Sequence, residues 1–371
     1  MIKYLGSKRR LVPVLGAIAG AVGARTALDL FTGTTRVAQE FKREGAEVTA
    51  VDSARYAEVF ARCYIATDAE AVDHAELVDA IDHLNGVPGE PGYVTETFCR
   101  QARFFQPFNG ERIDAVRDAI DRDFADHLLV PVLLTSLIEA ADRVDSTTGV
   151  QMAYVKRWAD RSHKPLTLRV PHLVAGAGRA IRADAADLVG DGGLGEFDLA
   201  YLDPPYNQHR YTANYHIWET LVAWDAPAHY GVACKRAELR SPASTSRFNR
   251  RRDMPIALRE VVEGVPAAVV VLSYNDESWI TLDELHDLCA VRGHVHVLAF
   301  EADRYVGARI GIYNPDGKRV GTPERLRNVE HLLIAGDHDD VERAAKAARA
   351  VRLAQRHATP VRRAHEAIRI T

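Results

Sequence analysis

Several things are scarce in this sequence, and each shortage narrows what it can be. No apolar run in the 371 residues reaches the roughly 18 needed to cross a bilayer, so no membrane span is expected. Only four cysteines occur, Cys63, Cys99, Cys234 and Cys289. They lie far apart, form no CxxC pair and have no histidine at metal-ligand spacing. This excludes a disulfide scaffold and a zinc ribbon, leaves no metal ligands to name, and points to a reduced, cytoplasmic setting. The small-residue turn of "DLFTGTT" is not a full GxGxxG and no Gly-Lys-Ser/Thr follows it, so a nucleotide-like ligand without a triphosphate fits it better than ATP. The basic start "MIKYLGSKRRLVPVLG" lacks a long apolar core and a small-residue cleavage site and is not read as a signal peptide. Internal repeats are missing. So is a one-signed charge: 47 Lys and Arg face 51 Asp and Glu, a net charge of −4. That balance excludes a uniformly basic nucleic-acid coat but leaves local patches open. What remains is an ordinary globular composition, 47% hydrophobic and 26% charged. The length suits one large domain with an insertion, or two domains.

What is present begins with "ARTALDLFTGTTRVAQEFKREGAEVTAVDSARYAEVF". The spacing predicts strand, turn, helix, strand, helix, a βαβ unit and hence a parallel sheet. From about Tyr56 the pattern turns helical and poor in strands, with a breaker at "NGVPGEPG". "RVDSTTGVQMAYVKRW" alternates around a Thr-Gly turn and is read as a hairpin. Strand-like runs resume at "FDLAYL", "AAVVVLSY", "HVHVLAF" and "EHLLIAG". We therefore expect an α/β domain formed by residues 1–55 and 175–336, split by a helical and hairpin insertion over 56–174. A basic Ala/Arg-rich tail, 337–371, is expected to form one or two solvated helices.

Two stretches carry chemistry. In "DLFTGTT" a small-residue turn between strand and helix leaves backbone N–H groups facing a ligand at the helix start. Asp52 closes the next strand, about 20 residues on, where an acid can accept from ribose hydroxyls. The second stretch, "YLDPPYNQHRY", ends a strand with Asp203, Pro204, Pro205 and Tyr206. Proline cannot donate to a sheet, so pairing stops here. Asp203 offers only acceptors, and the Pro204 carbonyl is another, aimed by the proline after it. Together they can accept both hydrogens of a planar amino group, and Tyr206 offers a ring face for stacking.

These motifs, in this order, resemble the Dam-like class of adenine-specific DNA methyltransferases, which use S-adenosylmethionine. The resemblance covers most of residues 1–336. It implies a Rossmann-like class I methyltransferase fold with a mostly helical inserted DNA-recognition region. By this likeness "KYLGSK", with Lys3, Tyr4, Gly6 and Lys8, helps hold the methionine part of the cofactor. "DLFTGT", with Asp29, Phe31, Gly33 and Thr34, is the cofactor loop, and Thr35 stands where the family usually has a second glycine. Asp52 matches the ribose-binding acid, Asp184 the acceptor of the cofactor's adenine amine, and "DPPY" the catalytic motif. "RYVGARIGIYN", from Arg304, falls where later sheet motifs are expected.

Double-stranded DNA is the implied partner, with a cognate restriction endonuclease as a further one, and a monomer or weak dimer as the expected state. Basic stretches fit DNA. "KRAELRSPASTSRFNRRRD" includes Arg250, Arg251 and Arg252, and "YVKRWADRSHK" includes Lys156 and Arg157. "RFFQPFNGER" could wedge between bases or serve as core aromatics. No cysteine follows a proline, which argues against cytosine carbon-5 chemistry. Methylation of cytosine N4, of an RNA base or of protein glutamine remains open, as does an inactive DNA-binding relative.

Overall fold

Runs such as "FDLAYL" and "AAVVVLSY", apolar at successive positions, belong in a sheet covered on both faces, and that is where they lie. The computed structural model describes residues 2–358 except 7, 156, 207, 209, 242–244, 304–311, 314–318 and 322–326. One seven-stranded sheet organises them. Its strands are β1 (Thr26–Asp29), β2 (Glu47–Asp52), β3 (Gly178–Arg182), β4 (Phe197–Leu202), β5 (Ala267–Asn275), β6 (His294–Asp303) and β7 (Arg327–Gly336). The spatial order is β3-β2-β1-β4-β5-β7-β6. The first five pair in parallel, and β7 is antiparallel to both β5 and β6. This is the doubly wound Rossmann-like arrangement expected, with an antiparallel strand slipped in near one edge.

Alternation along the strands feeds two cores. Leu199, Tyr201, Val269 and Val271 face one cluster, with α1 (Val12–Val22) and α2 (Arg36–Arg43). Ala200, Leu202, Val270 and Leu272 face the other. Between β2 and β3 the chain is mostly helical, through α3 (Arg55–Ala61), α4 (His74–Gly86), α5 (Pro107–Asp123) and α6 (Val130–Val144), and its buried aromatics Phe98, Phe104 and Phe105 continue the first cluster. Phe104 and Phe105 are therefore core, whereas Phe108 is 45% exposed. After β3, α7 (Ala185–Gly190) lies under the second face, and α8 (Tyr211–Asn214) and α9 (His216–Ala223) follow β4. Helices α10 (Met254–Gly264) and α11 (Leu282–Cys289) complete that second core. No helix among the described residues is long and apolar enough to cross a membrane.

Two expectations need correction. No strand occurs among the described residues of 143–158, so the hairpin is absent. Asp145 and Thr147 spend their hydrogen bonds locally: Thr147 Oγ1 donates to Asp145 at 2.6 Å and accepts from the Gly149 N–H at 3.0 Å. Arg161 clamps the same Asp145 at 2.6 Å. Such side-chain bonding competes with a ladder. The tail is not simply solvated either. Helix α12 (His338–Ala358) buries Val341, Ala344, Ala345 and Ala348, at helical spacing, within the first core, packed on α1. Alanine makes that stripe easy to overlook in an Ala/Arg-rich composition. Residues 359–371, and most of "RYVGARIGIYN", lie outside the described residues.

Glu342 of α12 faces His294 and His296 of β6 at 3.3 Å each, and Arg349 lies 2.6 Å from His296 Nε2. With Arg349 donating there, Nδ1 of His296 is left to donate to Glu342, and the group latches the helix to the sheet. The packing gives a direct test. Ala345→Glu places a carboxylate in the α1 contact and should destabilise the protein by at least ~2 kcal/mol. Ala350→Glu, on the exposed side, should stay within about 0.5 kcal/mol. Urea unfolding of both variants decides; equal stabilities would mean that the helix does not bury this face.

Candidate active site

In an open α/β sheet the crevice for ligands opens beyond the carboxyl ends of the strands, where the chain order reverses. Here that point lies between β1 and β4. A cavity of about 490 Å³ occupies it, within the usual size of a small-molecule site. Its wall includes Tyr4, Gly6, Lys8, Asp29, Phe31, Gly33, Thr34, Asp52, Asp184, Asp203 and Pro205. Residues far apart in sequence are thus gathered on one surface.

The turn after β1 is built around carboxylates. Asp52 Oδ2 accepts from the Gly33 N–H at 2.9 Å, and Oδ1 accepts from the Ala54 N–H at 2.9 Å. The acid that closes β2 therefore fixes the glycine turn of β1. Gly33 is left-handed at φ 50°, and a Cβ there would stand 3.1 Å from the Tyr4 hydroxyl. Thr35 is also left-handed, at φ 61°, though it has a side chain. Its Oγ1 donates to the Thr34 carbonyl at 2.7 Å and accepts from Gln39 at 2.9 Å. A left-handed backbone, which glycine adopts most readily, is thus held here by a threonine. Asp29 is buried, bonded through Oδ2 to Thr32 at 3.0 Å, while its Oδ1 has no partner. Desolvation, with the charges of Asp203 and Asp52 nearby, pushes its pKa up to about 7.

At the end of β4, Asp203 meets Lys8 at 3.0 Å, and the same ammonium pairs with Glu330 of β7. Glu330 in turn accepts from Ser273 of β5 at 2.7 Å. Desolvation pushes Asp203 up to about 6, against the pull of Lys8. Tyr206 is half-buried and meets Tyr274 edge-on at 5.9 Å. Across the cavity Tyr4 stacks on Tyr215 at 4.6 Å and Tyr211 at 5.4 Å, and the Leu5 N–H donates to the Tyr215 hydroxyl at 2.7 Å. This aromatic stack holds the N-terminal segment against the sheet.

Other predicted residues lie differently. Lys3 does not line the cavity; it pairs with Asp142 and Asp145 at the end of α6, at 3.0 and 3.1 Å. Asp184 caps α7 through the Ala186 N–H at 3.0 Å, and its other oxygen accepts from Ser246 at 3.2 Å. Within the basic segment Arg236 is neutralised by Asp225 and Glu238, and Arg247 by Glu260. Arg250, Arg251, Arg252 and Arg157 are exposed; Arg250, 3.5 Å from Asp253, also reaches the cavity wall, and Lys156 lies outside the described residues. Sequence reasoning passed over Arg36, which lines the cavity with its buried Nε unpartnered, and Glu330. The signal for Glu330 was a single acid within an apolar strand.

A profile of the D12 class N6 adenine-specific DNA methyltransferase family matches residues 4–270. Among curated proteins, the chain is 28% identical to Type II methyltransferase M.NlaIII of Neisseria lactamica, covering 82% of this chain and 92% of that one. It is 26% identical to Modification methylase StsI of Streptococcus sanguinis and to Modification methylase LlaI of Lactococcus lactis subsp. lactis. Those matches cover 77% and 92% of this chain but 46% and 58% of those proteins. A solved SAM-dependent methyltransferase from Agrobacterium tumefaciens aligns over 90% of this chain and 63% of its own, at 13% identity and a TM-score of 0.34.

The left-handed threonine predicts an order of stabilities. Thr35→Ala keeps the backbone strain and loses both hydrogen bonds. Thr35→Gly loses the same bonds but sheds ~1–2 kcal/mol of strain. The glycine variant should therefore be the more stable of the two by about 1 kcal/mol in denaturant unfolding, after allowance for glycine's greater unfolded-state entropy. The reverse order would show an unstrained turn.

Proposed function

The chain belongs to the D12 class N6 adenine-specific DNA methyltransferase family, and on that footing we propose that Asp203 and the Pro204 carbonyl hold the target amine. The protein methylates the N6 amine of adenine at specific sites in DNA, with S-adenosylmethionine as donor. The observation that carries the residue reading is the location of Asp203. It ends β4 at the switch point, on the wall of the cavity that Asp29, Gly33 and Asp52 also line.

The cavity suits the donor. Asp29, Asp52, Asp184, Asp187 and Asp203 outnumber the cations Lys8, Arg36, Arg247 and Arg250 on its wall, and Lys8 is shared with Glu330. A ligand with cationic centres fits such a wall better than a polyphosphate does. Asp29 offers an acceptor oxygen with nothing bound to it, and Arg36 a buried N–H suited to a carboxylate. Asp52 would accept from the ribose, and Asp184 from the adenine amine in place of Ser246. Tyr4, Gly6, Phe31 and Thr34 would shape the walls. When bound, S-adenosylmethionine supplies a methyl group on a positively charged sulfur.

A paired adenine cannot present its amine to this cavity, so the base must leave the helix, at a cost of a few kcal/mol. Asp203 accepts one amine hydrogen and the Pro204 carbonyl the other. The nitrogen lone pair is then drawn out of conjugation and held in line, and alignment supplies much of the acceleration. Pro205 fixes the direction of the Pro204 carbonyl, and Tyr206 stacks on the flipped base. Arg157, Arg250, Arg251 and Arg252 contact phosphates. We also place the protein in the cytoplasm, as a monomer or weak dimer, paired with a restriction endonuclease. The names of its relatives as type II and modification methylases support that pairing.

Asp203→Asn should lower methyl transfer by about 10²–10³, the loss seen when a preorganised polar group is removed. In the unaltered protein only the carboxylate accepts the amine, so the rate should fall as pH drops through about 6. Single-turnover transfer of labelled methyl to long unmodified duplex DNA, followed by nucleoside digestion, reads both. A fully active Asp203→Asn would remove Asp203 from the chemistry.

Replacing Arg250, Arg251 and Arg252 with Ala should weaken binding to all sequences alike. It should flatten the slope of log affinity against log salt by up to about 0.9 per lost contact. An unchanged slope would leave these arginines as a solvated face. A changed sequence preference would put them at base edges.

A further inference from the structure

We propose that Glu330 is a positioning residue that keeps Asp203 available to the target amine by taking up the charge of Lys8. This rests on the reading that Asp203 holds the amine.

The case begins with burial. Lys8 is 9% exposed and Glu330 7%. Water therefore compensates neither charge, and each must be matched by protein groups. A single ammonium serves two carboxylates, Asp203 at 3.0 Å and Glu330. If Lys8 belonged to Asp203 alone, the pair would be complete, and the carboxylate would have less capacity for a neutral amine. Glu330 changes that balance. The Ser273 hydroxyl, and the side chain of Asn275, help hold it in the charged form, and its affinity for protons is lowered by Lys8 and these two donors. Among the described residues Asp203 accepts from Lys8 alone. Glu330 thus fixes the ammonium on the β7 side, and Asp203 keeps acceptor capacity toward the cavity.

The other groups facing Asp203 do not supply this function. Tyr201 on β4, Tyr206 in the turn after it and Tyr211 on α8 each have pKa values raised by burial and stay neutral. Asp29 on β1 is itself raised toward neutrality by burial and by Asp203. Among the described residues, Lys8 and Glu330 are the charges that act most directly on Asp203.

The test compares two variants whose pH profiles should move in opposite directions. In Glu330→Gln, Lys8 turns wholly to Asp203. The plateau single-turnover rate on long unmodified duplex DNA should fall about tenfold, and the acid limb should move down by about one pH unit. In Lys8→Met, Asp203 faces Glu330 with no cation between, and the acid limb should move up. Ser273→Ala loosens the hold on Glu330 and should move the limb down by a smaller step; it carries the test if thermal melting shows Glu330→Gln unfolded. An unchanged profile in a folded Glu330→Gln variant would overturn the proposal, as would a lower plateau with an unmoved limb. Asp203→Asn separates the two levels: if it remains active, the reading of Asp203 fails, and if it is inactive while Glu330→Gln behaves normally, only the role of Glu330 fails.

Discussion

One buried ammonium, that of Lys8, holds three parts of the molecule in register. It lies between the turn that ends β4 and β7, the strand next to one edge of the sheet, and it comes from the N-terminal segment. Desolvating a lysine is costly unless its partners are close and themselves satisfied. Here Asp203 and Glu330 meet it directly and Ser273 supports Glu330. The segment from Tyr4 to Lys8 is therefore pinned at both ends, by the stack on Tyr211 and Tyr215 and by the ion cluster. That pinning lets a stretch with no regular structure form a wall of the cavity.

The sheet makes the cluster possible. β4 pairs with β5 so that Leu202 lies opposite Leu272, and one step further along each strand come Asp203 and Ser273. β7 then pairs with β5 in the opposite direction, placing Glu330 opposite Asn275 and Leu332 opposite Ser273. Ser273 and Glu330 are thus diagonal neighbours, a spacing that lets side chains meet across strands. An all-parallel order would have to reach this point with a different residue of β7. The helix that follows, α12, covers the strand from the α1 side, and its latch to β6 steadies the same edge.

Much of this was legible in the sequence, and the reasons for the remainder are local. The first βαβ unit was clear because strand, small-residue turn and closing acid follow one another at short range. The acid of "DPPY" was clear because prolines end a strand visibly. Glu330 was not, because its partners arrive from an N-terminal lysine and from two strands that only the fold makes neighbours. Lys3 sits one residue before Tyr4 in the same motif, yet its side chain pairs with Asp142 and Asp145 at the end of α6. Asp184 looked like a ligand acceptor and also serves as a helix cap, two uses that a short motif cannot separate. The hairpin failed because Asp145 and Thr147 satisfy themselves. The α12 stripe was hidden because alanine carries little hydrophobic signal.

Asp29 has a consequence beyond its place in the wall. Burial, with Asp203 and Asp52 nearby, pushes its pKa up to about 7, and its Oδ1 has no hydrogen-bond partner among the described residues. If the cationic donor binds beside it, as proposed above, the ionised form is favoured, and cofactor capture would expel a fraction of a proton. Affinity for the donor is then linked to acidity: it strengthens as the medium becomes more alkaline through neutrality, and the heat of binding includes the ionisation enthalpy of whatever buffer takes up the proton. On that reading, a carboxyl group that makes no bond in the transfer itself would couple cofactor loading to the proton activity of its surroundings.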